Sequence, residues 1–310
     1  MTRYLLLAAL AVAALAAPFF VYPILLMTIL CFMVFASSFN LLLGYAGLLC
    51  FGHAMFFGTG AYIGGWLMKE GGLSIELAFA ATTLAMAALG WVVGLISARR
   101  GGIQFAMITL AISQFVYFLL LRAPFTHGED GLQRIPRSDL FGVIDVSSNL
   151  SLYYLILAIS VAAIWFFYRI VHSPFGEVLR AIRDNEGRVE SLGFVPERFK
   201  IVALTLSAGL AGLAGAMKAS VYQIATLHDL SFHVSGTIIF MALLGGLGTM
   251  AGPMVGAALI VMLNDHLAQF GEWALIIQGV VFLAVILFFR RGLVGELQAF
   301  VRRRAARSAA

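Results

Sequence analysis

Runs such as Tyr4–Phe20, Ile24–Leu43, Ile103–Leu121 and Leu152–Phe167 contain no Asp, Glu, Lys or Arg. Each is about as long as the ~20 residues a helix needs to cross the hydrocarbon core of a bilayer. Strands can span a bilayer only as closed barrels, whose side chains alternate apolar and polar. These runs show no such alternation, so helices are the way left to pair the backbone in lipid. Composition agrees, with 62% hydrophobic and 11% charged residues against roughly 45–50% and 25% in a soluble domain. The expected fold is an all-α integral membrane protein, one transmembrane domain over 1–310 built as a polytopic helical bundle.

Ten segments can be drawn, at about 4–20, 22–43, 46–68, 75–97, 103–121, 150–169, 200–220, 234–249, 252–270 and 273–290. Lys and Arg gather on the cytoplasmic side of membrane proteins. With both termini inside, only Lys69, Arg122, Arg134, Arg137 and Lys218 of the 20 Lys and Arg lie outside. A loop at 122–149 is then external, a loop at 171–199 internal, and the tail at 291–310 basic and internal. Trp66, Trp165 and Trp273 fall near segment ends, as an interfacial belt would have them. The net charge of +5 belongs to these flanks and not to a nucleic-acid surface, which would interleave basic and base-reading elements. Cys31 and Cys50 lie in apolar segments and suggest neither disulfide nor metal site. Arg3, the first apolar run and Ala14-Leu15-Ala16 resemble a cleavable signal. Pro18 close to the scissile position and the second run that follows favour a retained helix.

Two segments are interrupted by glycine. Gly44-Tyr45-Ala46-Gly47 precedes a span carrying Gly52, Gly58, Gly60, Gly64 and Gly65, and Leu244 through Pro253 separates two later spans. Such interruptions in the two halves point to an inverted repeat of discontinuous helices, and equally to close packing through small residues. In the seventh span, Ala208, Gly212, Ala216 and Ser220 form one row and Ala211, Gly215 and Ala219 another. Packing accounts for both.

The loop at 171–199 is too charged to enter the bilayer. Ser173 suits a helix N-cap, Pro174 the first helical position and Glu177 the first turn. Phe175, Val178, Leu179 and Ile182 make one apolar stripe, with Arg180, Arg183 and Asp184 on other faces. Gly193 and Pro196 punctuate the end. This amphipathic helix can lie flat on the inner leaflet or dock a cytoplasmic partner, and periodicity favours neither.

The residues themselves carry a resemblance. Ser173-Pro174-Phe175-Gly176, Leu179 through Glu186, Glu190-Ser191-Leu192-Gly193 and Ser207 through Ala216 resemble the M-type permease subunit of branched-chain amino-acid ABC importers. Gly47 through Tyr62 is similar to that family's early glycine-rich span. Thr126 through Leu132 with Ile135-Pro136 is similar to its external loop, and Leu244 through Gly248 with Gly252-Pro253 and Gly256-Ala257 to its late hairpin. The blocks run in family order over most of the chain. The sequence departs from the family at Cys50, where Ser is common, and at His127 and Glu129, which replace smaller residues. Glu190 and Gly193 match the general coupling signature of ABC permeases only loosely.

The resemblance implies that residues 173–193 form a coupling helix seated in a cleft of an ATP-hydrolysing subunit, through Ser173, Pro174, Phe175, Gly176, Leu179, Arg180, Ile182, Arg183, Glu186, Glu190 and Gly193. It implies two such ATP-binding cassette subunits, a second permease of the H type, a periplasmic binding protein, and a place in the bacterial inner membrane. A P-loop needs Gly-Lys followed by Ser or Thr. None of Lys69, Lys200 and Lys218 follows a glycine. The chain is therefore expected to be no enzyme and to hold no cofactor, with ATP and Mg on the partner subunits. Polar or glycine positions inside spans mark a candidate translocation path: Asn40, Gly52, His53, Thr59, Thr109, Ser113, Gln114, Gly245, Gly246 and Gly248. For each polar side chain a helix–helix hydrogen bond is the alternative, and for His53 it is favoured because no second ligand sits at suitable spacing. Asn264-Asp265-His266 falls at the outer end of the ninth span. Glu129, Asp130, Arg134 and Arg137 are either a landing surface for the binding protein or an ordinary solvated loop. The rival class is an ion-coupled secondary transporter, which calls for intramembrane carboxylates. None lies near the middle of a span as drawn. Related permeases for urea, amides or other small organic compounds keep the substrate open.

Overall fold

The computed structural model describes residues 14–137, 147–271, 273–288 and 292–296. Residues 4–13 of the expected segment at 4–20 therefore lie outside the described residues, as do the middle of the loop at 122–149 and most of the basic tail. Helix α1 spans Pro23–Asn40, with Pro23 at the first position, where its missing N–H costs nothing. It widens into a π-turn over Leu41–Ala46, which Gly47 ends in the left-handed region at φ 71°. Leu48 N–H closes that end on the Leu42 carbonyl at 2.9 Å. Then follow α2 (His53–Lys69), α3 (Ile75–Ser97), α4 (Gly102–Arg122) and α5 (Asn149–Val171), the last capped by Ser148 Oγ accepting from Ser151 N–H. The loop holds α6 (Pro174–Asp184) and α7 (Glu186–Ser191). Beyond it come α8 (Pro196–Tyr222), α9 (Phe232–Gly245), α10 (Gly252–Leu267) and α11 (Trp273–Phe288).

Five of these helices are long and apolar enough to cross a membrane: α1 with its π-turn, α3, α4, α5 and α8. The expected segments 46–68 and 234–249 are shorter as helices, because the chain leaves helical conformation at 47–52 and 246–251, and the one at 252–270 passes from α-helix into a 3-10 turn over Ala268–Phe270. At 1.5 Å per residue α9 is ~21 Å long, short of a ~30 Å hydrocarbon core. Within the apolar windows of α1 and α8, 67% of residues are buried, against 33%, 28% and 33% in α3, α4 and α5. The first two are therefore the hub of the bundle. The other three turn side chains such as Leu84, Trp91, Phe115 and Trp165 outward, as lipid-facing helices must.

The small-residue rows of α8 do what their spacing predicts. A Cβ on Gly60 of α2 would stand 2.5 Å from the Gly212 carbonyl oxygen, and one on Gly64 2.7 Å from Ala216. On the other side, a Cβ on Gly90 of α3 would press into Ala208. Helix α8 is thus clamped between α2 and α3 with backbones nearly touching. One feature was not expected from the sequence: β1 (Leu132–Gln133) pairs antiparallel with β2 (Ile224–Ala225), matching Leu132 to Ala225 and Gln133 to Ile224. This ribbon pins the loop at 122–149 to the end of α8 and lets Leu132 and Ile135 fill the space beside Gly65.

Candidate functional site

The site begins in the loop between α5 and α8. Pro174 opens α6 as expected, and Ser173 occupies the cap position with extended backbone (φ −89°, ψ 165°). Its hydroxyl does not cap the helix, however. It donates backward to the Ile170 carbonyl at 2.6 Å, one of the last carbonyls of α5, which have no i+4 helical donor. Gly176 sits where a Cβ would overlap the carbonyls of Ile170 and Val171, so glycine allows α6 to fold back against the end of α5.

The expected continuous helix over 173–193 is broken in two. Asn185 is extended (φ −163°, ψ 98°) and its Oδ1 accepts from Arg188 N–H at 3.0 Å, starting α7. Asn side chains compete with the helix in this way. Gly193 ends α7 at φ 86°.

The apolar stripe of α6 faces the protein. Leu179 and Ile182 are buried, and Phe175 stacks on Phe199 of α8 with ring centroids 5.8 Å apart. Most of the stripe thus packs within the chain, with Phe175 and Val178 half-buried. Arg180 and Arg183, on other faces of the helix as the pattern put them, reach back to carbonyls of the chain. Arg180 donates to the Val171 carbonyl at 2.9 Å and lies 5.3 Å from the ring centre of Tyr45. Arg183 donates to the Gly44 carbonyl at 2.5 Å, while its Nε and Nη2 reach Asp184 Oδ1, each at 3.2 Å. Its aliphatic stem crosses Gly47, where a Cβ would stand 2.7 Å from Arg183 Cγ.

Beneath Arg183 the two glycine interruptions meet. Asn40, fully buried, donates from Nδ2 to the Thr249 carbonyl at 2.9 Å and accepts at Oδ1 from Gly248 N–H at 3.0 Å. Gly44 packs so closely here that a Cβ would fall on Asn40 Oδ1 and stand 2.7 Å from Gly248 N. Thr249 Oγ1 donates to the Gly246 carbonyl at 2.8 Å and accepts from Gly252 N–H at 3.1 Å, restarting the chain as α10. Gly248 (φ 71°) and Gly246 (φ 114°) adopt backbone that L side chains rarely take. A single amide and a single guanidinium thus tie both interruptions to the loop.

The outward side of the loop is different. Leu192, Phe194 and Val195 are 70%, 45% and 47% exposed, an apolar tip around Gly193 beside exposed Glu190. Sequence reasoning missed Phe194 and Val195. The available signal was an apolar cluster in an otherwise charged loop. Glu186 instead faces the bundle, pairing its carboxylate with Lys200 Nζ at 2.5 Å. The Lys200 side chain is 4% exposed and that of Glu186 44%. Removing the carboxylate strands a buried ammonium. Glu186→Ala should therefore lose ~2–3 kcal/mol, at or below the low end of the range for broken buried pairs because Glu186 is partly solvated. The double change Glu186→Ala with Lys200→Met should recover most of it. Thermal unfolding in detergent measures both, and an unchanged single variant would remove this tether.

The remaining candidate residues are dispersed. His53 is buried, stacked 5.4 Å from Phe35 and edge-on to Phe39 and Phe56, with Nε2 3.0 Å from Ser38 Oγ. Gly52 packs against the Thr109 carbonyl and Ser113 of α4, and the Thr109 hydroxyl donates to Ala106 at 2.9 Å. Thr59 is buried and Gln114 half-buried. Gly245 lies against the Gly252 carbonyl, where the α9–α10 hairpin closes. In the loop after α4, Glu129, Asp130 and Arg134 are exposed. Arg137 is engaged internally, donating to the carbonyls of Ser220, Val221 and Ser147 and to Asn149 Oδ1. Partial burial holds its guanidinium below the ordinary value.

Long apolar helices around a two-helix hub, gripped at one end by an amphipathic clasp, define a multi-pass α-helical membrane protein. The family model described as branched-chain amino acid transport system / permease component matches residues 21–289, and the chain belongs to that family. Among curated proteins it is 28% identical over 316 residues to the high-affinity branched-chain amino acid transport system permease protein LivM of Salmonella typhimurium strain LT2. That match covers 93% of this chain and 74% of the relative. The LivM of Escherichia coli K12 matches to the same extent. The ribose import permease protein RbsC of E. coli K12 is 27% identical over 68% of each chain. No solved structure gave a significant match. The chain is thus a transport protein, a membrane subunit of an ABC transporter that works with other subunits.

Proposed function

We propose that this chain is the M-type permease of a bacterial inner-membrane ABC importer for branched-chain or related hydrophobic amino acids. It spans the membrane ten times with both termini cytoplasmic, and the interruptions at 47–52 and 246–251 belong to the two halves of an inverted repeat. Its partners are an H-type permease, two ATP-binding cassette subunits that hold ATP and Mg, and a periplasmic binding protein that lands on the face carrying Glu129, Asp130 and Arg134. The chain itself needs no cofactor. The observation that carries the reading is the clasp: an inward-facing apolar stripe, Arg183 on Gly44, and an apolar tip left facing outward. A lever needs both a rigid grip on the moving helices and a free end for its motor. Alternating access follows when the ATPases close on the tip and rock both interruptions together. The ribose permease among the relatives favours, as second reading, an importer of another small organic compound by the same mechanism.

The tip supplies the test. Leu192→Asp places a charge in the proposed contact without disturbing the bundle, because Leu192 is largely exposed. In proteoliposomes holding both permeases and the ATPases, with binding protein outside, it should cut ATP-driven leucine uptake and ATPase co-purification by at least tenfold. That loss corresponds to about 1.4 kcal/mol of contact energy. Co-purification at the parental level would reject the lever.

A further inference from the structure

Lys218 lies on α8, eighteen residues beyond Lys200, which places it ~27 Å along the helix from the clasp. Its ammonium is ion-paired with Asp229 and lies 5.8 Å from the ring centres of both Phe57 and Tyr222. The Asp229 side chain is 3% exposed, whereas that of Lys218 is 20% exposed. The ammonium opens into a cavity of about 360 Å³ lined also by Thr28, Asn264 and Gln278. Beside it is a second cavity of about 300 Å³ whose wall is apolar: Phe240, Leu244, Ile260 and Leu263. The two cavities share His233, Thr237 and Gln278. A charged end and an aliphatic end thus adjoin.

Buried ion pairs are seldom retained for net stability, because desolvation offsets their attraction. This one faces open space beside an apolar wall. We propose that Lys218 and Asp229 form a binding site for a zwitterion. The α-carboxylate of an amino acid meets Lys218, its α-ammonium meets Asp229, and its aliphatic side chain enters the apolar cavity. The ligand exchanges one internal ion pair for two external ones, so no charge is stranded at any stage. A sugar, urea or neutral amide has no charge with which to part the pair. The inference rests on the transport reading above and deepens it by assigning what distinguishes an amino-acid path from that of an uncharged solute.

The test uses the assembled transporter carrying Thr237→Cys, alkylated by a membrane-impermeant maleimide. Cys31 and Cys50 are buried and stay silent. Without binding protein, leucine should slow alkylation roughly tenfold at a concentration about nine times its dissociation constant. Isocaproamide, the same skeleton without either charge, should not. Adding Lys218→Met with Asp229→Asn, which removes both charges together, should abolish the protection. Absence of protection by leucine, equal protection by the amide, or protection that survives the neutral pair each overturns the site. Uptake is assayed in parallel on the parent. Leucine import without protection rejects only the site, whereas no amino-acid import at all rejects the transport reading beneath it.

Discussion

Arg183→Met will separate ATP hydrolysis from uptake. The methionine keeps the aliphatic stem over Gly47 but removes the donor that holds the Gly44 carbonyl. A hydrogen bond from a charged donor contributes ~1.5–3 kcal/mol. Used as coupling energy, that is roughly a 10–150-fold change. The tip around Leu192 is untouched, so the ATPases still dock and hydrolyse. The expected result is near-parental ATPase activity with uptake reduced at least tenfold. Arg183→Lys should fall between the two, since an ammonium reaches one acceptor but lacks the planar fork that also engages Asp184. Uptake and hydrolysis falling in parallel would show that the residue serves assembly alone. Parental uptake would show that the clasp transmits nothing.

Gly215→Ala should have the largest effect on stability. A Cβ there falls on the Phe57 carbonyl and stands 3.0 Å from Ala61 N, both backbone atoms of α2. Backbone within a helix cannot step aside, so α2 and α8 must separate along the whole seam that includes Gly60–Gly212 and Gly64–Ala216. Overpacking of this kind costs ~3 kcal/mol or more. Gly209, six residues earlier on the same helix, is the control. Its added Cβ would meet Thr83 O at 3.3 Å and Ala87 Cβ at 3.4 Å, and alanine gains ~1 kcal/mol of helix propensity. Gly209→Ala should therefore be near neutral. The recovery of monodisperse protein and its melting temperature in detergent measure both changes. Equal behaviour of the two variants would mean that helix propensity, rather than the seam, governs these positions.

What could be read from the residues was local or periodic. Charge-free runs gave the long helices, four-residue spacing gave the packed rows of α8, and Pro174 gave the start of α6. What escaped depended on neighbours far along the chain. The stripe on α6 was legible as apolar, yet its partner Phe199 and the Gly44 and Val171 carbonyls that accept from the arginines were not. The carbonyl that an arginine will reach at a helix end leaves no trace in the charge pattern, and only the fold brings the two together. The break at Asn185 turned on one side-chain hydrogen bond that outcompeted helix continuation. The β1–β2 ribbon joins segments about ninety residues apart and leaves no periodic trace in two-residue strands. Lys218 read as one more external cation until the short turn after α8 brought Asp229 beneath it. Asn40 was singled out as an intramembrane polar residue, and the structure gives it a definite task in bridging both glycine interruptions.

The most direct measurement is thiol chemistry at the tip of the loop in the reconstituted transporter. Leu192→Cys should cross-link to an ATP-binding cassette subunit through a short bifunctional reagent, and its alkylation rate should fall on assembly and change again when ATP is added. A cysteine at this position that reacts as fast in the full complex as in the isolated chain, with no cross-linked product, would contradict the lever.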